Sequence, residues 1–300
     1  MNCTLCNNQE TKEIYSYRAG KHKRESRVFF PNIQILTCEK CKISYCSNVD
    51  KVNLDNYYKA IYEKENHTEI NRFKEFNSRF FSQVLFFINH AKLQNDIKVL
   101  EVGPSRLGIL PSLKIFQKKI NYYYFDQIEL NHNHEKMFKL GNYFDPQISK
   151  LPSVDLIWMS HSLEHILPND LLHVLNLYYK ALNQKGKIFI EIPYDIKSKN
   201  FSVPHTLFFE KMGLVNLFEK LNFKVIALSE INDAPKSLYE EEIINNTSAK
   251  SSNKTMINKI YLYLQKFLPD YFVKKYAFKN FVLNGPYTSK PIIRMIVEKK

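Results

Sequence analysis

The chain has 300 residues, 44% hydrophobic and 14% aromatic, enough to fill one large packed domain and a smaller one. No uninterrupted apolar run reaches the roughly 18 residues of a membrane span, and the opening MNCTLCNNQE lacks the basic region and apolar core of a signal peptide, so the cytoplasm is the expected compartment. The net charge of +13, from 43 basic and 30 acidic side chains, fits a lysine-rich surface, affinity for anionic small molecules such as sugar nucleotides, or nucleic-acid binding; the lysines are scattered, with only residues 21–27 densely basic, which weighs against nucleic acid.

All five cysteines lie within residues 1–50. Cys3 and Cys6 form one CxxC and Cys38 and Cys41 another. One such knuckle brings two thiolates to an ion, and two complete a tetrahedral site, so a zinc ribbon over 1–50 is expected. Four protein ligands leave no position for water, which makes the zinc structural. The competing reading is reduced thiols or a disulfide pair, the latter disfavoured in a cytosolic setting. Residues 51–95 read as a helical connector, with Phe73, Phe76, Phe80, Val84, Phe87 and Ala91 at three- and four-residue steps facing a core.

Residues 97–108, IKVLEVGPSRLG, predict a buried strand ending near Glu101, then a turn bounded by Gly103 and Gly108, then a helix whose positive end would face a ligand. The chain has only seven glycines, so two in one turn point to a geometric need. A second strand over 122–125 ends on Asp126, about 20 residues beyond the first glycine, where nucleotide-binding sheets place a ribose-binding acid. A third strand, 155–159, runs into SHSLEHI. A helix is expected after Pro168-Asn169-Asp170, a turn at NQKGK (183–187), and a strand at 187–193. Next come a loop, 202–210, entering a helix that continues to about Leu221, and a strand at 223–229. A polar stretch leads into a helical insertion at about 236–284, with an amphipathic face at Ile257, Ile260, Leu264 and Phe267, before a closing strand over 291–300. Alternating strands and helices predict an α/β fold over 96–300: a Rossmann-like, mostly parallel, seven-stranded sheet flanked by helices.

These pieces taken together resemble class I S-adenosylmethionine-dependent methyltransferases: VLEVGPSRLG, the acid at Asp126, VDLIWMSHSLEHI over 154–166, and KGKIFIEIP over 185–193. The paired CxxC ahead of such a domain is similar to a zinc-ribbon group that includes sugar C-methyltransferases acting on nucleotide-linked keto-sugars. The resemblance implies that Glu101, Gly103 and Gly108 form the turn under the methionine part of the cofactor and that Asp126 bonds the ribose hydroxyls. It puts Asn142 or Tyr143 near the adenine and Ser160 beside the methyl group. The sequence departs from the family in two places. The turn has Pro104, Ser105, Arg106 and Leu107 where the family carries a further glycine, and the His-Glu-His stretch of the sugar enzymes is reduced to His205, with Pro204 in place of the acid.

A sulfonium methyl is already activated, so the protein mainly has to align the reactants and exclude water. His205 is the candidate base for an acceptor that must lose a proton; its other reading is a hydrogen-bonded cap of the following helix. HSLEH also fits a zinc-protease spacing for His161 and His165, but that reading explains nothing around it, whereas the methyltransferase resemblance accounts for the preceding strand and implies a structural His165. The expected function is methyl transfer from S-adenosylmethionine to a small metabolite, such as a sugar nucleotide or a surface-polysaccharide precursor. The alternatives are an RNA methyltransferase and a catalytically degenerate binding module.

Overall fold

The computed structural model describes residues 3, 5–18, 29–65, 78–92, 95–104, 108–117, 119–126, 137–141, 152–199, 201, 204–231, 234–235, 287–288 and 291–300. The chain opens with an antiparallel meander of β1 (Thr11–Arg18), β2 (Asn32–Cys38) and β3 (Ile43–Cys46). Helices α1 (Lys51–Glu65) and α2 (Ser78–His90) follow. A reciprocal cap starts α1: the Asn53 N–H donates to Asp50 Oδ1 at 2.8 Å and the Asp50 N–H to Asn53 Oδ1 at 3.4 Å. Then come β4 (Asp96–Val102), the single-turn α3 (Leu110–Leu113), β5 (Lys119–Phe125), β6 (Met137–Gly141), β7 (Val154–Ser160) and a 3-10 turn (Leu163–His165). The rest is α4 (Leu171–Ala181), β8 (Leu182–Pro193), the short α5 (Asp195–Ser198), β9 (Leu207–Phe209), α6 (Lys211–Lys220), β10 (Phe223–Ile231), the two-residue pair β11 (Ala234–Pro235) and β12 (Tyr287–Thr288), and β13 (Ile292–Lys299).

Seven strands form the main sheet in the order β10-β13-β8-β7-β4-β5-β6. The strands from β8 to β6 pair in parallel, and β13 runs antiparallel between β8 and β10. This is the α/β, mostly parallel, Rossmann-like sheet expected from the sequence. Its central strands read as apolar runs because both faces are covered: Ile188, Phe189, Ile190 and Ile192 of β8 are all buried. Val84, Phe87 and Ala91 cover one face, and Phe87 packs on Trp158 with ring centroids 5.8 Å apart. From β4 the chain adds β5 and β6 on one side and β7 and β8 on the other. The carboxyl ends of β4 and β7 therefore flank a topological switch point, where open α/β sheets bind ligands.

The structure differs from the sequence reading in three places. The segment read as a loop over 202–210 contains β9, which pairs antiparallel with β3 and makes the meander a four-stranded sheet. The turn at 183–187 lies inside β8: pairing with β7 jumps from Val154↔Leu182 to Leu156↔Lys187, and Lys185 takes a φ of 60°. The helix after the glycine turn is one turn long, so it adds little macrodipole. Phe73, Phe76 and the helical insertion at about 236–284 lie outside the described residues. No described helix is long and apolar enough to cross a membrane.

Helix α6 meets the turn between β2 and β3 closely at Gly213. A Cβ there would lie 2.1 Å from the Lys42 carbonyl oxygen and 3.0 Å from that of Cys41. Backbone cannot yield as a side chain can, so Gly213→Ala should lower the unfolding free energy by about 1–3 kcal/mol in urea. The exposed neighbour Met212→Ala should change it by about 0.5 kcal/mol or less.

Candidate active site

At the tips of β4 and β5, Gly103 turns the chain with a φ of 66°, and its N–H donates to the Phe125 carbonyl at 2.8 Å. Asp126 follows directly and is 2% exposed. The predicted strand–turn pair thus comes together, with Gly103 and Asp126 side by side at the carboxyl ends of β4 and β5, next to the switch point. Glu101 points inward: its carboxylate accepts the Tyr122 hydroxyl and, at 2.8 Å, the Ile109 N–H. Burial pushes its pKa up to about 7, against the pull of those two donors. Glu101 therefore braces the turn across Gly108, which is itself buried. Residues 105–107, Asn142 and Tyr143 lie outside the described residues.

At the tips of β7 and β8 the chain buries a dense polar group. Glu191 is fully buried and faces two guanidinium groups: Arg294 Nε donates to Oε2 and Arg79 Nη2 to Oε1, both at 2.6 Å. Gln83 Nε2 donates to the same Oε1 at 2.7 Å and to Ser160 Oγ at 2.8 Å, while Gln83 Oε1 accepts the Trp158 indole N–H. Burial alone would raise the Glu191 pKa, but Arg294 and Arg79 outweigh it and hold it well below the usual carboxylate range. Ser160, predicted beside the transferred methyl, is held here through Gln83. The next residue, His161, has a φ of 53° and its N–H donates to the Glu191 carbonyl at 2.8 Å. Burial and then Arg79 lower its pKa to about 4, so its imidazole is neutral.

His205 lies beside this group. Its Nδ1 is 2.6 Å from Asp195 Oδ2 at the start of α5. An ionised carboxylate only accepts, so Nδ1 carries the proton and Nε2 is the basic nitrogen. The His165 ring is 5.0 Å from that of His205 and nearly perpendicular to it, and its Nδ1 is 2.9 Å from the Tyr58 hydroxyl of α1. Burial, then His205, lower the His165 pKa well below its ordinary value. Glu164 is 1% exposed, neither of its oxygens has a side-chain hydrogen-bond partner among the described residues, and burial raises its pKa to about 7 against the pull of His205. Glu164, His165 and His205 each bring a ligand atom within 4.8 Å of the others. Sequence reasoning singled out His205 but passed over Asp195, Tyr58, Arg79 and Glu191, which lie in other elements with no motif around them. Glu164 was in view within LEHI, and only burial shows it as unpartnered.

The four cysteines converge at the far end of the meander. Cys3 Sγ is 3.7 Å from Cys41 Sγ and Cys6 Sγ is 3.5 Å from Cys38 Sγ. A disulfide needs about 2.05 Å, whereas four sulfurs about 2.3 Å from a zinc lie about 3.8 Å apart. The knuckles share a design. Asn7 and Lys42, each following the second cysteine, have φ values of 57° and 55°, and their N–H groups return to the carbonyls of Cys3 and Cys38. The donor set and spacing fit a structural zinc. Cys46 stands apart, and burial raises its thiol pKa to about 12.

Solved structures similar to this chain include methyltransferases. The Burkholderia thailandensis 1,6-didemethyltoxoflavin-N1-methyltransferase, solved with 1,6-didemethyltoxoflavin and S-adenosylhomocysteine, aligns over 95% of this chain and 100% of its own, with a TM-score of 0.50 and 10% identity. A SAM-dependent methyltransferase from Archaeoglobus fulgidus aligns over 81% of this chain and 100% of its own, with a TM-score of 0.45 and 16% identity. No protein-family model matches the chain, and no curated protein matches it in sequence. The fold is that of the class I S-adenosylmethionine-dependent methyltransferases.

Removing the charge of Glu191 strands Arg294 in the interior, so Glu191→Gln should cost about 3–5 kcal/mol at pH 7 by chemical denaturation. The folded pKa lies below the ordinary 4.5, so this stabilisation is fully present above 4.5 and fades as pH falls toward the folded value. The gap between wild type and variant should narrow below pH 4.5.

Proposed function

We propose that this chain transfers a methyl group from S-adenosylmethionine to a small metabolite, with a nucleotide-linked sugar or another surface-polysaccharide precursor as the favoured acceptor class. One juxtaposition carries the reading: a left-handed glycine beside a buried acid, Gly103 and Asp126, shares the carboxyl edge of this sheet with the His205–Asp195 pair. The first pair suits an adenosyl ligand, since Gly103 lets backbone approach it closely and Asp126 accepts from ribose hydroxyls. When bound, the cofactor supplies an electrophilic methyl on a sulfonium. Glu101 keeps the turn shaped, Ser160 lies at the methyl, and Gly108 closes the turn at Ile109. Asn142 is assigned to the adenine.

His205 activates the acceptor through its Nε2 lone pair, with Asp195 fixing the tautomer and the ring orientation. His165 packs against it, Tyr58 packs against His165, and the two exclude water. The small acceptor is consistent with the Burkholderia structure, whose bound partner is 1,6-didemethyltoxoflavin. Cys3, Cys6, Cys38 and Cys41 hold a structural zinc that stiffens the ribbon, assigned to residues 1–50, ahead of a connector at 51–95 and the catalytic domain at 96–300. The positive net charge favours an anionic acceptor, and the cytoplasm is the assigned compartment.

Calorimetric titration with S-adenosylhomocysteine should give a single site per chain. Asp126→Ala should weaken it by about 1.5–3 kcal/mol, the worth of a hydrogen bond to a charged acceptor. No heat at millimolar ligand, from folded protein, would reject the assignment. For the ribbon, Cys38→Ser should lose one zinc per chain by elemental analysis and lower the melting temperature. Zinc content unchanged by that substitution would count against the tetrad.

A further inference from the structure

We propose that Glu164, His165 and His205 form a second metal site, for a first-row transition dication, which binds an acceptor hydroxyl. Two imidazoles and one carboxylate are a donor set that zinc, iron and manganese accept, with positions left open for an exchangeable ligand. The three ligand atoms already lie within 4.8 Å of one another. Around a bound ion they would close to about 3.3 Å, given bonds of about 2.0–2.1 Å in tetrahedral geometry. Glu164 and His165 share one 3-10 turn, while His205 comes from the segment before β9.

Two further observations point to an ion. The first is Glu164 itself. It is 1% exposed, and both carboxylate oxygens lack a side-chain hydrogen-bond partner among the described residues. Among the described residues, His161 Nδ1 lies 3.4 Å from Glu164 Oε1, and His205 is the charged group that acts on Glu164 most strongly. The other charges nearby are already matched: Glu191 by Arg79 and Arg294, and Asp195 by the His205 ring. A desolvated carboxylate left in this state is costly, and a cation is the ligand that satisfies it most fully.

The second is the outer ring of partners. Histidines that bind metals usually pass their other ring nitrogen to a carboxylate or another oxygen, which fixes the ring and makes the ligating nitrogen more basic. His205 does this with Asp195 at 2.6 Å; the His165 Nδ1 is 2.9 Å from the Tyr58 hydroxyl, and the ring also meets the Pro204 backbone, a contact it would exchange for the ion.

The site deepens the methyl-transfer reading and rests on it for its purpose. With the ion in place, the His205 Nε2 lone pair goes to the metal. The acceptor hydroxyl takes an open position, where the dication stabilises its alkoxide and the released proton passes to solvent. The acceptor is then a compound with at least one ionisable hydroxyl.

The test is Mn2+ uptake by the full-length, zinc-loaded chain, followed by electron paramagnetic resonance. Mn2+ is the weakest competitor of the first-row series for a four-thiolate site, so it leaves the tetrad alone. One tightly bound Mn2+ per chain is expected. Glu164→Gln should weaken it by at least about 10-fold and Asp195→Asn by about 10- to 100-fold, while Glu164→Asp restores part of the loss. Circular dichroism identifies a variant that has not folded, and Asp195→Asn decides should Glu164→Gln be one. The absence of a Mn2+ site in the wild type, or equal affinity in wild type and folded variants, overturns the proposal. S-adenosylhomocysteine titrated alongside separates the two readings. Cofactor heat without Mn2+ uptake removes the metal site and leaves methyl transfer standing. Mn2+ uptake without cofactor heat keeps the site and removes methyl transfer.

Discussion

The arrangement of the candidate site depends on how one residue, Thr206, is fastened. It is fully buried, and its backbone and side chain bond in two directions. Its carbonyl accepts the Cys46 N–H at 2.9 Å, continuing the β3–β9 ladder into the amino-terminal sheet. Its N–H donates to the Glu164 carbonyl at 2.8 Å and its hydroxyl to the Ile166 carbonyl at 2.6 Å, gripping the turn at the end of β7. His205 precedes it and Leu207 opens β9. The histidine is therefore held between the four-stranded sheet and the main sheet, and neither alone would place it. Tyr58 reinforces this arrangement, since it reaches His165 from α1. The amino-terminal unit is part of the site's scaffold, and the close approach at Gly213 is the same joint seen from α6.

A second constraint is charge at the carboxyl edge of β8. Glu191 and Arg294 are direct cross-strand partners in register, and Arg79 enters from α2. One buried carboxylate thus ties a helix, a central strand and the antiparallel strand β13 together, and Gln83 extends the link to Ser160 and Trp158. Such groups gain little net stability over apolar packing, yet each fixes orientation and makes removal of any single partner expensive. The strand ends that must present Ser160, His161 and Asp195 are consequently rigid.

The sequence revealed the parts whose chemistry is local. Apolar runs marked β4, β5, β7, β8, β10 and β13, because a sheet covered on both faces excludes polar side chains over its length. The cysteine spacing marked the tetrad, because a knuckle needs both thiols within one turn. Gly103 and Asp126 were legible as strand-end residues of a nucleotide-binding sheet. What escaped was non-local. Three residues, LFF, carry no strand signature of their own, and β9 forms only because β3 offers an open edge. Asp195 beside His205, and Arg79 beside Glu191, are meetings between distant elements that no spacing rule encodes. The register jump at Lys185 escaped because a turn and a bulge use the same residues.

The contrast between Glu191 and Glu164 carries the reasoning furthest. Both are buried at one edge of one sheet, and burial raises the pKa of each. They diverge because two guanidinium groups face Glu191 and outweigh its burial, whereas at Glu164 the pull of His205 and Arg79 falls short of it. A protein has simple ways to relieve a buried carboxylate, among them an arginine, a backbone N–H or replacement by glutamine. Here the first of these is used at Glu191, and two donors serve Glu101. Glu164 has only its own backbone N–H and the more distant pull of His205 and Arg79, which leave its pKa raised. A desolvated acceptor left in that state beside two oriented histidines is uneconomical for folding alone, and becomes intelligible once something outside the chain completes it.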